Sequence, residues 1–114
     1  MDTETFKNRL SISGQIEVED VAELSACGVE VIVCNRPDGE DPGQPCFSEI
    51  KAAAETHGME AVHIPFSGAD VTAEHVDAFR PYLESEKRIH LYCRSGRRSQ
   101  YLLEVASADE HASM

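Results

Sequence analysis

Two hydrophobic periods take turns along this chain. Leu10-Ser11-Ile12-Ser13-Gly14 alternates with period two and predicts a short strand. Val18, Val21 and Leu24, with Ala22 and Ala26, then fall on one stripe of a helix over 17–26. Acids fill its first turn, where the helix dipole favours them, and Gly28 stops it. Residues 29–34 are β-rich with a continuous apolar core, the pattern of a parallel strand buried on both faces. A second helix over 47–57 turns Phe47, Ile50 and Ala54 inward and ends at Gly58, and 59–64 is the next strand. Thr72 caps a third helix over 73–84, with Val76, Phe79 and Leu83 inward. Pro81 lies inside that pattern, so a kink or break is expected there. Residues 88–92 are the last strand and 98–106 the last helix. Residues 1–8 are expected to be a flexible lead-in, 9–107 one domain, and 108–114 a flexible tail. Strand and helix alternate throughout. The fold class this implies is α/β: a single-domain layered sandwich with a mainly parallel sheet of four to five strands and helices on both faces.

Charge changes the picture more than length does. The net charge of −11 argues against nucleic acid as a partner. Yet five of the ten basic residues (Lys87, Arg88, Arg94, Arg97, Arg98) fall between 87 and 98, a window without acids. A positive mouth on an acidic body suits a small anionic substrate and repels anionic polymers. No run reaches membrane-spanning length, and the acidic start lacks the layout of a signal peptide, so no membrane partner is expected. Cys27, Cys34, Cys46 and Cys93 form no Cys-x-x-Cys pair and read as reduced thiols of a cytoplasmic chain. None of the histidines at 57, 63, 75, 90 and 111 stands at zinc-ligand spacing from a cysteine, so neither a metal nor another cofactor is expected.

The chemistry concentrates in His90-Leu91-Tyr92-Cys93-Arg94-Ser95-Gly96-Arg97-Arg98-Ser99-Gln100. An apolar run ends in a thiol, a compact loop with one glycine follows, and a helix begins. The converging N–H groups of such a loop, with the positive end of the helix, hold an oxyanion and lower a cysteine pKa. Arg98, five residues after Cys93, can fork onto two oxygens of an anion. Gly96 permits a positive φ and close approach of a ligand, while Arg94, Ser95 and Arg97 form the rest of the anion-binding rim. Two further loops follow strand ends, where parallel sheets carry their ligand sites. One, over 35–45, is unusually long and rich in Pro and Gly, and its Arg36 and Asp38 are expected to face the Cys93 loop. The other, over 65–71, carries Asp70.

Ser13-Gly14-Gln15, Asn35-Arg36-Pro37-Asp38-Gly39-Glu40 with Gln44-Pro45, Pro65, and Tyr92-Cys93-Arg94-Ser95-Gly96 with Arg98-Ser99 occur in this order. In these stretches the chain resembles the phosphatase-like domain of β-lactamase-hydrolase-like proteins. The resemblance implies a fold like that of dual-specificity cysteine phosphatases. It also implies a metallo-β-lactamase-fold hydrolase as a partner, because relatives are fused to one, and some relatives are labelled sulfur transferases. True phosphatases place the loop arginine six residues after the cysteine, precede the cysteine with histidine, and carry an aspartate directly after the preceding strand. Here Arg98 is at plus five, Tyr92 precedes, and Pro65-Phe66-Ser67 offers a serine. The shorter loop is also that of rhodanese sulfurtransferases, although His63-Ile64-Pro65 matches only the start of their upstream signature.

Three functions stay open at this point. In a cysteine-dependent hydrolase, the Cys93 thiolate attacks phosphorus and the loop amides with Arg98 hold the oxygens. Ser99 then hydrogen-bonds the thiolate as it leaves, and Asp38, ahead of Glu40 and Asp70, protonates the departing oxygen. In a sulfurtransferase, Cys93 takes a sulfane sulfur from its donor and needs no general acid. In a binding module, the loop only captures an anion or a protein. Cys34, at the end of the strand over 29–34, is also a candidate for a reversible disulfide with Cys93.

Overall fold

The structure, a computed structural model, describes residues 3–6, 9–68 and 70–112. Nine elements follow in order: β1 (Thr3–Phe6), β2 (Leu10–Ser13), α1 (Val18–Ala26), β3 (Val31–Cys34), α2 (Phe47–Thr56), β4 (Glu60–His63), α3 (Ala73–Glu84), β5 (Ile89–Tyr92) and α4 (Arg97–Ala112). The sheet order is β1-β2-β5-β3-β4. β2, β5, β3 and β4 run parallel, and β1 joins antiparallel at the edge. This is the expected α/β sandwich.

The pleat sorts side chains to two faces. Leu10, Ile12, Val31, Val33, Ile89 and Leu91 form one core with Val76, Phe79 and Leu83 of α3 and Leu102, Leu103 and Ala106 of α4. Ile32, Cys34 and Tyr92 turn the other way, onto Val21 and Leu24 of α1 and Ile50 and Ala54 of α2. Burying each large aliphatic contributes about 1.5–3 kcal/mol. β3 is apolar throughout, β5 is apolar but for His90, and both are buried along their length, as a strand with helices on both sides requires.

Four local expectations are corrected. Within the expected lead-in over 1–8, Thr3–Phe6 is a strand whose backbone completes the edge of β2, from Thr3 opposite Ser13 to Phe6 opposite Leu10. The rest of that stretch lies outside the described residues. α4 runs to Ala112 instead of ending at 106. α3 runs unbroken through Pro81, where Phe79 and Leu83 fasten it to the core on either side, and the Arg9 guanidinium caps the Leu83 carbonyl. Val18 stands exposed at the start of α1 instead of joining Val21 and Leu24 inside. Among the described residues, no helix is long and apolar enough to cross a membrane.

Because β2, β3, β4 and β5 are parallel, the segments that follow them meet at one edge of the sheet. β5 lies between β2 and β3. The segment that begins with Cys93 is therefore flanked by Gly14 and Gln15 on one side and by Asn35 and Arg36 on the other.

Candidate active site

Cys93 follows β5 and is fully buried. Gly96, at φ 93°, points its N–H at the Cys93 sulfur, 3.1 Å away. α4 begins at Arg97, so the amides of Arg98 and Ser99 lie in its first turn and lack intrahelical acceptors. Burial alone would push the Cys93 thiol up. The backbone N–H groups of Ser99, Ser95, Arg98 and Gly96 outweigh it and hold the thiol below its ordinary range.

The Ser99 hydroxyl does something other than expected. It donates to Asn35 Oδ1 at 2.9 Å, while Asn35 Nδ2 donates to the Ile64 carbonyl at 3.0 Å. Ser99 thus offers the sulfur its amide, and its side chain ties α4 to β3 and β4. Asn35 and Ser99 are both fully buried, so each satisfies the other's polar atoms.

Arg98 does face the loop, but its fork is occupied. Nη1 and Nη2 donate to Glu40 Oε2 and Oε1 at 2.9 and 2.7 Å, and Nη1 also reaches the Phe66 carbonyl at 3.1 Å. Arg36 meets the same carboxylate through Nε at 2.8 Å, while its Nη1 binds Gln15 Oε1 at 2.9 Å and its Nη2 binds Asp41. Arg36 is buried with each nitrogen on a protein acceptor, so the structure uses it as a brace between loops rather than as a ligand for substrate. The hydrogen bond from Arg98 leads in holding Glu40 well below the usual carboxylate range, at about 2, although burial opposes it. The positive mouth of the sequence is therefore partly neutralised. Asp41 also reaches Arg94 Nε at 3.3 Å, although Arg94 is largely exposed.

Asp38 has a structural task as well: its Oδ1 accepts the Phe47 N–H at 2.8 Å and caps α2. Gln44 folds the same segment on itself, accepting from the amides of Glu40 and Asp41 and donating to the Pro37 carbonyl. Ser95 and Arg97 are exposed beside Cys93 on the rim. Asp70 is exposed in the β4–α3 segment that also supplies the Phe66 carbonyl to Arg98, and no other described residue engages its carboxyl. Cys34 is buried in the core facing α1 and α2, with its thiol on the Arg36 carbonyl at 3.4 Å and its pKa raised chiefly by burial. Asn35 and Gln15 were visible only as parts of recurring strings, because nothing local in the sequence shows which partners a buried amide will find.

The family model for the phosphatase-like domain of β-lactamase hydrolase-like protein matches residues 2–110, and the chain belongs to that family. A β-lactamase hydrolase-like protein of Agrobacterium fabrum is 38% identical over 104 residues, which cover 90% of this chain and 24% of the relative. The chain thus spans about a quarter of the length of the curated relatives it matches. A candidate phosphatase of Neisseria meningitidis is similar in structure, with a TM-score of 0.78 at 34% identity over 90% of this chain and 73% of that one. A second candidate phosphatase, of Shewanella putrefaciens, shares the fold with a TM-score of 0.81 at 19% identity, covering 96% and 69%.

Proposed function

We propose, from that family membership, that the domain is a cysteine-dependent phosphatase-like hydrolase with Cys93 as nucleophile. One observation carries this: a buried sulfur at the start of a helix, with the Gly96 N–H 3.1 Å away, beside a two-pronged arginine. The Cys93 thiolate attacks phosphorus, an S–P bond forms, and the P–O bond to the leaving group breaks. Loop amides, with Arg98 released in part from Glu40, stabilise the equatorial oxygens. Water then cleaves the S–P bond, which releases inorganic phosphate and restores the thiolate. The departing oxygen needs a proton. Glu40 is ionised and paired and Asp38 caps a helix, which leaves Asp70 as the carboxylic acid for this step.

A second reading is favoured by a specific feature, the short loop in which Arg98 stands only five residues after Cys93. A tighter cradle suits one sulfur atom, and persulfide formation requires no acid. The thiolate would attack the sulfane sulfur of thiosulfate or of a thiosulfonate, form an S–S bond and release sulfite or the sulfinate, respectively, with the bonding pair. The mass of Cys93 after an aryl phosphate, and separately after thiosulfate, decides between them. A trapped phosphoryl adduct is expected. An added sulfur atom without any phosphoryl adduct would transfer the assignment to the second chemistry.

A further inference from the structure

His90 lies on β5, three residues before Cys93, is fully buried, and takes no part in the steps above. Its neighbours fix where its proton sits. The Ser13 hydroxyl donates its single hydrogen to the Gly14 carbonyl at 2.9 Å. It can therefore only accept from His90 Nε2, 2.8 Å away, so Nε2 carries the hydrogen. Nδ1 is then the acceptor for the Ser11 hydroxyl at 2.7 Å. The hydrogen bonds run one way, from Ser11 through His90 and Ser13 to the Gly14 carbonyl. The ring stays neutral because burial pulls its pKa down to about 4, against the charge of Asp20 on α1.

The far end of this chain bears on the thiol loop. Gly14 lies so close to Arg94 that a Cβ there would stand 2.9 Å from the Arg94 carbonyl oxygen. Gln15 donates its N–H to that same carbonyl at 3.3 Å. In a trans peptide the C=O and the following N–H point in opposite directions. Holding the Arg94 carbonyl toward β2 therefore turns the Ser95 N–H away from β2. The same end of β2 also packs on Gly96, where a Cβ would stand 3.5 Å from the Ser13 carbonyl oxygen, and the Gly96 N–H lies 3.1 Å from the Cys93 sulfur.

We infer that His90 is a positioning residue: through Ser13 and Gly14 it fixes the end of β2 against the Arg94 carbonyl and Gly96, and so holds the Gly96 amide on the Cys93 sulfur. The inference rests on the thiolate chemistry proposed above for its consequence on turnover, but its geometry can be read without any substrate.

The test follows alkylation of Cys93 by iodoacetamide against pH, measured on the Cys93 peptide so that the other cysteines do not contribute. Three variants divide the chain of bonds. Ser13→Ala removes the link to Gly14. His90→Asn places an amide where Nδ1 was and loses Ser13. His90→Gln places an amide where Nε2 was and keeps Ser13. Ser13→Ala and His90→Asn are expected to raise the alkylation midpoint and slow the rate at pH 6 by about three- to tenfold. His90→Gln should stay close to the unchanged protein. A low midpoint that Ser13→Ala and His90→Asn leave in place overturns the inference alone. So does an equal loss in His90→Gln and His90→Asn, because the effect would then follow the filling of the site. A midpoint at the ordinary free-thiol value in the unchanged protein overturns the thiolate chemistry together with it.

Discussion

Arg98 and Glu40 form a two-pronged ion pair across 58 residues of sequence, with Nη2 2.7 Å from Oε1 and Nη1 2.9 Å from Oε2. A carboxylate has the planar shape of the face an oxyanion would present to a guanidinium. Glu40 thus stands where an incoming anion would bind Arg98. It is ionised throughout the working pH range, since Arg98 and then Arg36 hold its carboxyl at about 2.

Neutralising Glu40 should therefore strengthen anion binding. Glu40→Gln keeps the size and removes the charge. Inorganic phosphate, titrated by calorimetry, is expected to bind about threefold or more tightly to the variant. Weaker binding would show that Glu40 serves to aim Arg98 and does not compete for it.

The arginines themselves are not interchangeable. Arg98→Lys keeps the charge and loses the planar fork, so turnover of an aryl phosphate should fall about tenfold or more. Arg97→Lys, on the exposed rim, should change little. Equal losses would mean that the fork on Glu40 is not the one that reaches substrate.

Where the sequence was legible, the signal was local. Leu10 and Ile12 alternate with serines and became β2, and the segments ending at Cys34 and Tyr92, apolar but for His90 in the second, became two adjacent inner strands. Cys93, Gly96 and the first turn of α4 are neighbours in sequence, so their convergence followed from strand, loop and helix alone. The pairing of Arg98 with Glu40 was not legible. It exists because β3 and β5 are adjacent in the sheet, an arrangement that no window of sequence contains. The Asp38 cap was not legible for the same reason: it depends on the path by which the segment after β3 returns to start α2. His90 broke a hydrophobic strand, and only the sheet order shows that Ser11 and Ser13 wait beside it.

Gly14 should resist even the smallest side chain. A Cβ would meet the Arg94 carbonyl at 2.9 Å, a backbone atom that Gln15 also holds, so neither side can give way cheaply. Gly14→Ala is expected to destabilise the fold by about 1–3 kcal/mol and to slow Cys93 alkylation at pH 6. Gly43→Ala is the control, because nothing lies within 4 Å of the place its methyl group would take. Equal urea midpoints for the two variants would show that the β2 end yields freely.

Acid should unfold the domain in two stages, each with the same sign. His90 has its folded pKa lowered from 6.5 to about 4, chiefly by burial. The unfolded chain therefore takes up this proton more readily. The stability it contributes is complete above pH 6.5 and is lost as pH falls toward 4, on the order of 3 kcal/mol in all. Glu40 has its folded pKa lowered from 4.5 to about 2, with the hydrogen bond from Arg98 as the largest cause. Its contribution is complete above pH 4.5 and is lost as pH falls toward 2. Urea midpoints measured from pH 8 to pH 3 should decline first between about 6.5 and 4. His90→Gln cannot titrate there and should lose that first decline, while Glu40→Gln should keep it and lose the second. A first decline that survives in His90→Gln would assign it to another group and remove the buried neutral imidazole from the account.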